Sequence, residues 1–311
     1  MQPGAEPSAA GSAPSPFQPF RHLLIVGVGL MGGSLGLAAR QRGLARHITG
    51  YSRRLSTAQE ALSVGSVDAV SDDLQAALKA ADAVYLAAPV AQFPALFQAI
   101  ETSGNSDLIV FDAGSTKTAV CAAARDVASR GVGGVSPWYF NFVPSHPIAG
   151  AERHGPTAAN AQLHVGRTVV VCPHEHTCDP ALQRVEAFWQ AMGAMVSRMP
   201  ADEHDRVFAA VSHLPHLLAY SYVHALLQTP TGAADMQEGG GGFRDFSRIA
   251  ASSPEMWVDI FLDNRDQTLA HLDRFMQSAD LLRSALKAGD RQTLLSALGQ
   301  AAAFRGQWRG K

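Results

Sequence analysis

The sequence predicts an α/β protein made of two domains. From residue 23 to about residue 199, short runs of Val, Ile and Leu alternate with stretches of helical periodicity, the pattern of parallel strands joined by helices. From residue 202 onward, only long amphipathic helical patterns remain. We therefore expect a flexible tail over residues 1–20, a strand-containing domain over residues 21–200 and an all-α domain over residues 201–311.

Composition and charge narrow the class of protein. The chain has 311 residues, of which 47% are hydrophobic and 17% charged, so it can form two packed cores. Its net charge of -2 gives no positive field for nucleic acid or anionic membranes, and no apolar run is long enough to span a bilayer. The tail lacks the features of a secretion signal, and the few cysteines suit a reducing compartment. We expect a soluble cytoplasmic protein that binds neither nucleic acid nor membranes.

Six strands and one long helix stand out in the pattern. The strands are predicted at residues 23–26, 47–51, 83–88, 108–113, 168–172 and 194–199, in a parallel sheet covered by helices on both faces. A helix of about thirty residues is predicted to begin near Pro254. Because this is longer than a small domain needs to cover itself, part of its apolar face is expected to meet a second copy of the chain. The sequence thus favours a homodimer formed through the helical half.

A glycine-rich turn follows the first predicted strand and opens a helix. In this setting one glycine permits a tight turn, another allows close approach of a pyrophosphate, and the last allows close packing of the helix. A glycine triplet can also be an ordinary turn, but its position between strand and helix predicts a Rossmann-type dinucleotide-binding domain. The residues assigned to the cofactor lie in this turn or just after the strand at 83–88: Gly27, Gly29, Leu30, Met31, Gly32 and Pro89.

The end of the second strand bears on which nicotinamide cofactor is used. An acidic side chain at this position accepts a hydrogen bond from the ribose 2'-hydroxyl of NAD. This chain has Ser52, Arg53 and Arg54 there, and two guanidiniums with a hydroxyl suit the 2'-phosphate of NADP better. The pattern favours NADP over NAD; the alternative is that the two arginines are solvated surface charges.

Four further segments carry polar residues at positions that do not suit a hydrophobic core. They are residues 112–117, 145–150, 212–216 and 242–248. The first two follow predicted strands, at the edge of an open α/β sheet where ligands bind. Each also has a structural explanation, since Ser or Asp at a strand end often caps a helix and His before Pro often belongs to a turn. Taken together, they form a candidate active site.

The motifs in their order resemble those of a known family. The set GVGLMGGSL, DAGSTK, SHPIAG, HD followed by SHLPH, and GGGFRDFSRIA is similar to the prephenate dehydrogenases, including the cyclohexadienyl and arogenate dehydrogenases of tyrosine biosynthesis. The resemblance runs from about residue 23 to about residue 286. It implies a nucleotide-binding domain followed by an all-helical dimerisation domain. It also implies oxidative decarboxylation of prephenate or arogenate with hydride transfer to NADP or NAD, giving 4-hydroxyphenylpyruvate or tyrosine and carbon dioxide.

The resemblance assigns the catalytic roles to two residues. His146 matches the catalytic base of the family, and an imidazole with an ordinary pKa of about 6.5 suits proton removal near neutral pH. Ser115 would hydrogen-bond to the substrate hydroxyl and to His146, and so decide which ring nitrogen accepts the proton. Its rival role is to cap a helix beginning near Thr116, and the two roles are compatible.

The same resemblance assigns four substrate-binding residues. Arg248 matches the arginine that holds the ring carboxylate, for which a guanidinium is well shaped; the alternative is a helix-surface charge. Glu152 and Arg244 match positions that form an ion pair gating the pocket in some relatives. His213 matches a histidine on the substrate side, although a lone histidine of this kind is often a hydrogen-bonded core residue. Pro215 predicts a kink that would turn His213 toward the cleft.

Other interpretations of the residues compete with this one. The segment from Cys172 to Cys178 carries two cysteines and two histidines, but their spacing is wrong for a zinc site and prolines mark it as a loop, so we expect no metal. Another two-domain NADP-dependent oxidoreductase acting on a hydroxy acid or an imine is the main alternative function. A metal hydrolase, suggested by His204 and Asp205, or a nucleotide-sensing module is a further alternative.

Overall fold

A computed structural model describes residues 17–131, 134–150 and 154–308 of the chain. Most of the tail predicted over residues 1–20, and the predicted site residue Glu152, lie outside the described residues. The described strands are β1 Leu23–Val26, β2 Ile48–Tyr51, β3 Ala69–Ser71, β4 Ala83–Leu86, β5 Ile109–Asp112, β6 Phe142–Val143, β7 Ser145–Pro147, β8 Thr168–Val171 and β9 Met195–Arg198. The predicted α/β fold with a helical second half is confirmed.

The helices divide at the last strand. Those that precede β9 are α1 Leu30–Gln41, α2 Leu55–Ser63, α3 Leu74–Ala80, α4 Phe93–Ser103, α5 Thr118–Ala128, α6 Pro137–Phe140 and α7 Asp179–Ala191. Those that follow it are α8 Ala201–Phe208, α9 Leu214–Leu227, α10 Gly232–Gln237, α11 Gly241–Ser247, α12 Pro254–Asp263, α13 Arg265–Ala288 and α14 Arg291–Gln307. No helix among the described residues combines the length and the apolar composition needed to cross a membrane.

The first sheet has the strand order of a doubly wound nucleotide-binding fold. Six parallel strands follow the order β3-β2-β1-β4-β5-β6, with β1 at the point where the order reverses. Every residue of β1 and β4 is buried, which explains why both read as uninterrupted apolar runs. Separate apolar cores cover the two faces of the sheet, one around Phe188 and Trp189 of α7 and the other around Phe97 of α4.

The prediction of a single parallel sheet is wrong in its last part. The strands predicted at residues 168–172 and 194–199 are β8 and β9, and they form a second sheet with β7, in the order β7-β8-β9. Strand β7 runs antiparallel to β8 and pairs His146 with Val170. The sequence pattern missed β7 because its three residues, Ser145, His146 and Pro147, lack the apolar character of a buried strand.

The helix predicted from Pro254 is two helices rather than one. Helix α12 ends at Asp263 and α13 begins at Arg265, and Asn264 between them has non-helical φ and ψ of -110° and 38°. Asn264 is only 5% exposed. Its amide donates to the backbone oxygen of Asp205 at 2.7 Å and lies 3.1 Å from Nδ1 of His213. The helix is interrupted here because the buried Asn264 side chain makes its hydrogen bonds to Asp205 and His213.

A wide helical turn joins α8 to α9. Residues Ala209–His213 form a π-helical turn immediately before Leu214 and Pro215, which open α9. Proline has no amide hydrogen to complete the helical ladder, so the local widening agrees with the kink expected there.

Exposed apolar side chains are concentrated on the last three helices. Leu262 of α12 is 67% exposed, Leu286 of α13 is 68% exposed and Phe304 of α14 is 73% exposed in the single chain. Such a surface is typical of a contact between subunits.

His164 gives the fold a measurable dependence on pH. Its ring is 1% exposed and packs against Trp189, and neither ring nitrogen has a hydrogen-bond partner within the described residues. Burial lowers its pKa from 6.5 to about 4, so the unfolded chain binds a proton more readily than the folded one. This histidine therefore costs no stability above pH 6.5 and up to about 3 kcal/mol as the pH falls toward 4.

We expect His164→Leu to reduce the acid sensitivity of the fold. Urea unfolding at several pH values between neutral and acid measures the free energy of unfolding. The variant should lose less stability than the parent by up to about 3 kcal/mol at the acid end. His224→Leu, a change at an exposed position on α9, is the control. An identical pH slope in the parent and the His164 variant would contradict the prediction.

Candidate active site

The glycine turn between β1 and α1 packs against the protein backbone at Gly27 and Gly32 and is open at Gly29. Gly27 has a φ of +94°, and a side chain there would lie 2.6 Å from the backbone of Ala87 and Ala88. A side chain at Gly32 would lie 2.0 Å from the carbonyl oxygen of Gly27. A side chain at Gly29 would meet nothing within 4 Å. The backbone is thus packed tightly against the protein and accessible to a ligand at Gly29.

The first amides of α1 are available to an anion. The helix begins at Leu30 with Gly29 as its N-cap, and no side chain caps it and no acidic residue lies in its first turn. Leu30 and Met31 are partly exposed, whereas Gly32 is buried. The first amide groups of a helix have no partner within it and carry partial positive charge, so they suit a phosphate group.

The other residues assigned to the cofactor lie at the same edge of the sheet. The amide of Gly27 donates to the carbonyl oxygen of Tyr51 at 2.9 Å, which places the end of β2 beside the glycine turn. Ser52 is partly buried there, and Arg53 and Arg54 are exposed in the turn before α2. Within the described residues, no carboxylate forms an ion pair with either arginine.

Pro89 lies just beyond β4, where it begins the short 3₁₀ helix Val90–Gln92. The strand before it, β4, is paired with β1, so the chain leaves both strands at neighbouring points of the carboxyl edge. Pro89 and the glycine turn are therefore next to each other in the sheet, as expected for residues of one cofactor site.

A buried ion pair organises the loop after β5. Asp112 and Lys117 are both 0% exposed, and the Lys117 ammonium pairs with the Asp112 carboxylate. This carboxylate also accepts hydrogen bonds from the amides of Gly114 and Ser145, each at 2.8 Å. The Ser145 hydroxyl donates to the backbone oxygen of Asp112 at 2.6 Å. These bonds hold the residue that precedes His146 against the end of β5.

The His146 ring lies between the sheet edge and the helical domain. Its Nδ1 lies 2.8 Å from Nε2 of His204, and Nδ1 of His204 lies 2.8 Å from the Asp205 carboxylate. The ring of Phe208 packs against His146 with 5.0 Å between centroids. His146 is partly exposed, whereas His204 and Asp205 are buried. Sequence analysis missed the role of His204 and Asp205, whose only sign was an HD pair at the start of the helical half.

Asp205, and not Ser115, caps the helix after the DAGSTK segment. Its two carboxylate oxygens accept from the amides of Lys117 and Thr118, each at 2.8 Å, where α5 begins. Ser115 makes no side-chain hydrogen bond to this helix or to His146. The expected cap and the expected Ser115–His146 bond are both wrong for this structure, because an acid from the second domain and a second histidine occupy those positions. Ser115 is partly buried in the same loop.

The second domain holds this loop from another side as well. The hydroxyl of Thr116 hydrogen-bonds to the carboxylate of Asp263 at the end of α12, at 3.2 Å. Burial raises the pKa of Asp263, against the lowering effect of this bond. The loop that leads from β5 to α5 is therefore tied to both α8 and α12.

The electrostatics of this cluster keep its imidazoles neutral. The pKa of His146 is held well below its ordinary value by burial and by the nearby His204, Lys117 and His213. Burial also lowers the pKa of His204, despite its bond to Asp205. Burial alone would raise the pKa of Asp205, but its hydrogen bonds with His204, Thr118 and Lys117 bring it below the ordinary value. At neutral pH the cluster therefore has two neutral rings and one carboxylate.

His213 and His216 both lie near Trp257 but occupy different environments. His213 is 1% exposed and bonded to Asn264, and burial lowers its pKa to about 4. His216 is partly exposed and stacks on Trp257 with 3.6 Å between ring centroids. The buried, hydrogen-bonded setting of His213 matches the structural alternative considered for it, and its substrate role stays a prediction.

The two arginines of the fourth polar segment are exposed. Arg248 follows α11, and its charge helps to lower the pKa of His216, a shift caused mainly by burial. Arg244 lies 3.5 Å from the carboxylate of Asp245, and its side chain is 77% exposed. Its expected partner Glu152 is outside the described residues. The structure thus places the charge of Arg248 near His216 of α9.

The segment from Cys172 to Cys178 does not gather ligands for a metal. Cys172 is buried, His174 stacks on Tyr139 with 4.1 Å between centroids, and Cys178 donates to Asn141. Among the described residues, no group of three or more His, Cys, Asp or Glu side chains is arranged to hold a metal ion.

Comparison with known families covers both halves of the chain. Residues 35–198 match the family described as "Prephenate dehydrogenase, nucleotide-binding domain". Residues 200–300 match "Prephenate dehydrogenase, dimerization domain". The two matches meet near the last strand, β9, where the structure changes from mixed to all-helical.

Individual proteins of the same kind are similar over nearly the whole chain. A cyclohexadienyl dehydrogenase of Zymomonas mobilis is 32% identical over 278 residues, which are 89% of this chain and 92% of that protein. A prephenate dehydrogenase of Bacillus subtilis is also 32% identical, over 88% of this chain and 72% of that protein.

Solved structures agree with these relatives. The prephenate dehydrogenase of A. aeolicus, in complex with hydroxyphenyl propionate and NAD+, superposes with a TM-score of 0.84 at 31% identity, covering 92% of this chain and 98% of that one. The arogenate dehydrogenase of Synechocystis gives a TM-score of 0.75 at 26% identity, covering 93% of this chain and 100% of that one. With its nucleotide-binding edge, its buried histidine cluster and these matches, the chain belongs to the prephenate dehydrogenase family of NAD(P)-dependent oxidoreductases.

Proposed function

We propose that the chain catalyses the oxidative decarboxylation of prephenate to 4-hydroxyphenylpyruvate and carbon dioxide, with NADP favoured over NAD as the hydride acceptor. The observation that supports this most directly is the partly exposed ring of His146. Its neighbour Ser145 is bonded to the end of β5 in the sheet that carries the glycine turn, and its low pKa keeps the ring neutral. The relatives named for prephenate or cyclohexadienyl dehydrogenase activity are similar over most of the chain.

The chemistry asks the protein for positioning and one proton transfer. When bound, the nicotinamide supplies the acceptor for the hydride that leaves ring carbon 4. Loss of carbon dioxide and the gain of an aromatic ring make the overall step downhill, so the remaining task is to remove the proton of the 4-hydroxyl. His146 takes this proton on Nε2, since its Nδ1 is engaged by His204. Its low pKa leaves the ring unprotonated and ready to accept at neutral pH.

The substrate carboxylate on the ring is assigned to Arg248. A guanidinium can bind a carboxylate through two parallel hydrogen bonds, which fixes both the position and the orientation of the ring. Arg244 and Glu152 are proposed at the entrance, and His213 on the substrate side. Ser115 is proposed to contact the substrate hydroxyl, because its side chain is partly exposed in the loop beside His146.

The residues around the glycine turn fit a dinucleotide. Open space at Gly29 and uncapped amides at the start of α1 suit the pyrophosphate. The absence of an acid at Ser52–Arg54 and the exposure of both arginines favour the 2'-phosphate of NADP over the free ribose of NAD.

Arogenate is the second candidate substrate. One similar protein is named cyclohexadienyl dehydrogenase and another arogenate dehydrogenase. The two substrates share the ring that His146 and Arg248 are proposed to act on, and they differ only in a keto or an amino group on the side chain. Turnover of each compound by the same preparation separates the two possibilities.

We further propose that the working form is a cytoplasmic homodimer. Leu262 of α12, Leu286 of α13 and the exposed Leu295 and Leu298 of α14 lie within the part of the chain that matches the family's dimerization domain, and Phe304 lies just after it. All three cysteines are free thiols, which suits a reducing compartment.

Replacing the proposed base tests the reaction. His146→Asn should lower kcat with prephenate by about 10²–10⁴-fold, because a positioned base contributes that much, while nucleotide affinity is unchanged. In the parent enzyme, kcat/KM should fall only below pH 6.5, because the pKa of His146 is depressed and the base must be unprotonated. Initial rates at 340 nm give kcat and the pH dependence of kcat/KM, with the exposed His224→Asn as control. Full activity in the His146 variant would remove this residue from the mechanism.

The open face of the glycine turn should be sensitive to a single methyl group. Gly29→Ala has room within the protein, so its cost in stability should be below about 1 kcal/mol. The methyl group would obstruct the pyrophosphate and weaken NADP and NAD binding roughly tenfold or more. Calorimetric titration and urea unfolding measure the two effects. Gly299→Ala, at an equally open position in α14, should leave nucleotide affinity unchanged. Undiminished binding to the Gly29 variant would place the nucleotide elsewhere.

Cofactor preference should respond to charge at the end of β2. Ser52→Asp introduces a carboxylate that accepts from a ribose hydroxyl and repels a 2'-phosphate, so the ratio of kcat/KM for NADP to that for NAD should fall roughly tenfold or more. Ser63→Asp, at the other end of α2, controls for a general change in charge. If the ratio stays constant in the Ser52 variant, the assignment of Ser52, Arg53 and Arg54 is wrong.

A further inference from the structure

Three side chains form a line of hydrogen bonds that leads away from Nε2 of His146, the proposed base. Nδ1 of His146 lies 2.8 Å from Nε2 of His204, and Nδ1 of His204 lies 2.8 Å from Oδ1 of Asp205. The first residue comes from β7 of the nucleotide-binding domain, and the other two come from α8 of the helical domain. The line therefore crosses from one domain to the other.

The carboxylate at the end of the line determines where every proton sits. An ionised carboxylate only accepts hydrogen bonds, so Nδ1 of His204 must carry a hydrogen. A neutral imidazole has one hydrogen, which leaves Nε2 of His204 as an acceptor. Nδ1 of His146 must then be the donor in the contact between the two rings. The lone pair of His146 is consequently on Nε2, the atom that has no partner among the described residues.

The line is rigid because Asp205, its last member, makes several hydrogen bonds besides the one with His204. His204 is 0% exposed and Asp205 is 2% exposed. The Asp205 carboxylate also accepts from the amides of Lys117 and Thr118, and its backbone oxygen accepts from Asn264. Because amide groups can only donate, these bonds keep the carboxylate as a pure acceptor and prevent it from rotating away from His204.

We infer that His204 and Asp205 are positioning residues that hold His146 in the tautomer with a hydrogen on Nδ1 and the proton-accepting lone pair on Nε2. This inference rests on the proposed function insofar as His146 is the base of that reaction. The tautomer itself is a property of the folded protein without ligand. His204 acts through His146 and does not touch the substrate.

The same pair stabilises His146 after the proton has moved. Once Nε2 has accepted the proton of the substrate hydroxyl, the ring is a cation, and burial and the nearby charge of Lys117 both disfavour that cation. The hydrogen on Nδ1 then makes a stronger bond to His204, whose own ring is polarised by the Asp205 carboxylate. The negative charge that offsets the new positive charge thus comes from the second domain.

Removing the ring of His204 is the most direct way to release the tautomer. Oδ1 of Asp205 accepts from both His204 and the amide of Lys117, whereas Oδ2 accepts from Thr118. An asparagine at position 205 can therefore keep its oxygen toward His204 and leave the tautomer unchanged. His204→Leu instead removes the acceptor of the Nδ1 hydrogen of His146.

Nitrogen NMR of the ligand-free protein reads the tautomer directly. Protein labelled with ¹⁵N-histidine gives two-bond proton–nitrogen correlations that distinguish the two neutral forms, and the His146 signals are those missing in His146→Asn. We expect the Nδ1–H form in the parent and a mixture of the two neutral forms in His204→Leu. The Nε2–H form in the parent, or an unchanged Nδ1–H form in the variant, would overturn the inference.

Steady-state kinetics give the second readout. Asp205→Asn and His204→Leu should lower kcat by about 10²–10⁴-fold while the KM for prephenate changes less than roughly threefold, since neither residue contacts the substrate. His204→Gln, whose amide oxygen can accept from His146, should recover part of the loss relative to leucine. Asp290→Asn, which alters another carboxylate that caps a helix through two amides, should retain the parent kcat.

The outcomes separate this inference from the proposed function. Equal kcat in the parent and His204→Leu would show that the line does not position the base and would overturn the inference. If the parent does not oxidise prephenate or arogenate, the proposed function fails while the NMR result still decides the tautomer. If His204→Leu does not fold, the tautomer of the parent decides instead, with the Nδ1–H form expected and the Nε2–H form counting against the inference.

Discussion

The Asp205 carboxylate is the point on which the arrangement of this site depends. It accepts from the amides of Lys117 and Thr118 and from the ring of His204. The first two bonds cap a helix of the nucleotide-binding domain, and the third orients the ring that touches His146. One carboxylate from the helical domain therefore joins the two domains and sets the orientation of the histidine to which the proton transfer is assigned. A charge used in this way is stable when buried because every one of its partners is a donor.

A second buried charge supports the same end of the sheet. The Lys117 ammonium pairs with Asp112, which in turn holds the amide of Ser145 just before His146. The positive charge of Lys117 also contributes to the low pKa of His146. The ion pair thus has two effects: Asp112 fixes the strand that carries His146, and Lys117 helps to keep its imidazole unprotonated. An exposed pair could do neither, since water would screen it and leave its side chains mobile.

Both domains contribute to the proposed reaction, so their contact is part of the catalytic apparatus. The first domain supplies the glycine turn of its first sheet and His146 of its second sheet, whereas the helical half supplies His204, Asp205 and Arg248. Asn264 extends the connection, because it links the backbone of Asp205 to His213 and thereby interrupts the helix between α12 and α13. The apolar faces of the last helices stay exposed in the single chain, which leaves them for the partner in the proposed dimer.

The sequence by itself determined the features that depend on short stretches of chain. The alternation of strands and helices and the turn at Gly27 to Gly32 are local patterns, and apolar periodicity and glycine geometry are sufficient to predict them. The role of His146 came from the resemblance of its short motif to that of the family. Tertiary structure alone decided which groups surround His146. His204 is 58 residues away from it in the sequence, and Asp205 accepts from the amides of Lys117 and Thr118, which lie 88 and 87 residues before Asp205. It also decided that Ser115 caps nothing, that β7 starts a second sheet, and that the helix predicted from Pro254 breaks at Asn264. Hydrogen bonds between distant segments leave no periodic trace in the sequence, because they depend on how the two domains pack rather than on neighbouring residues.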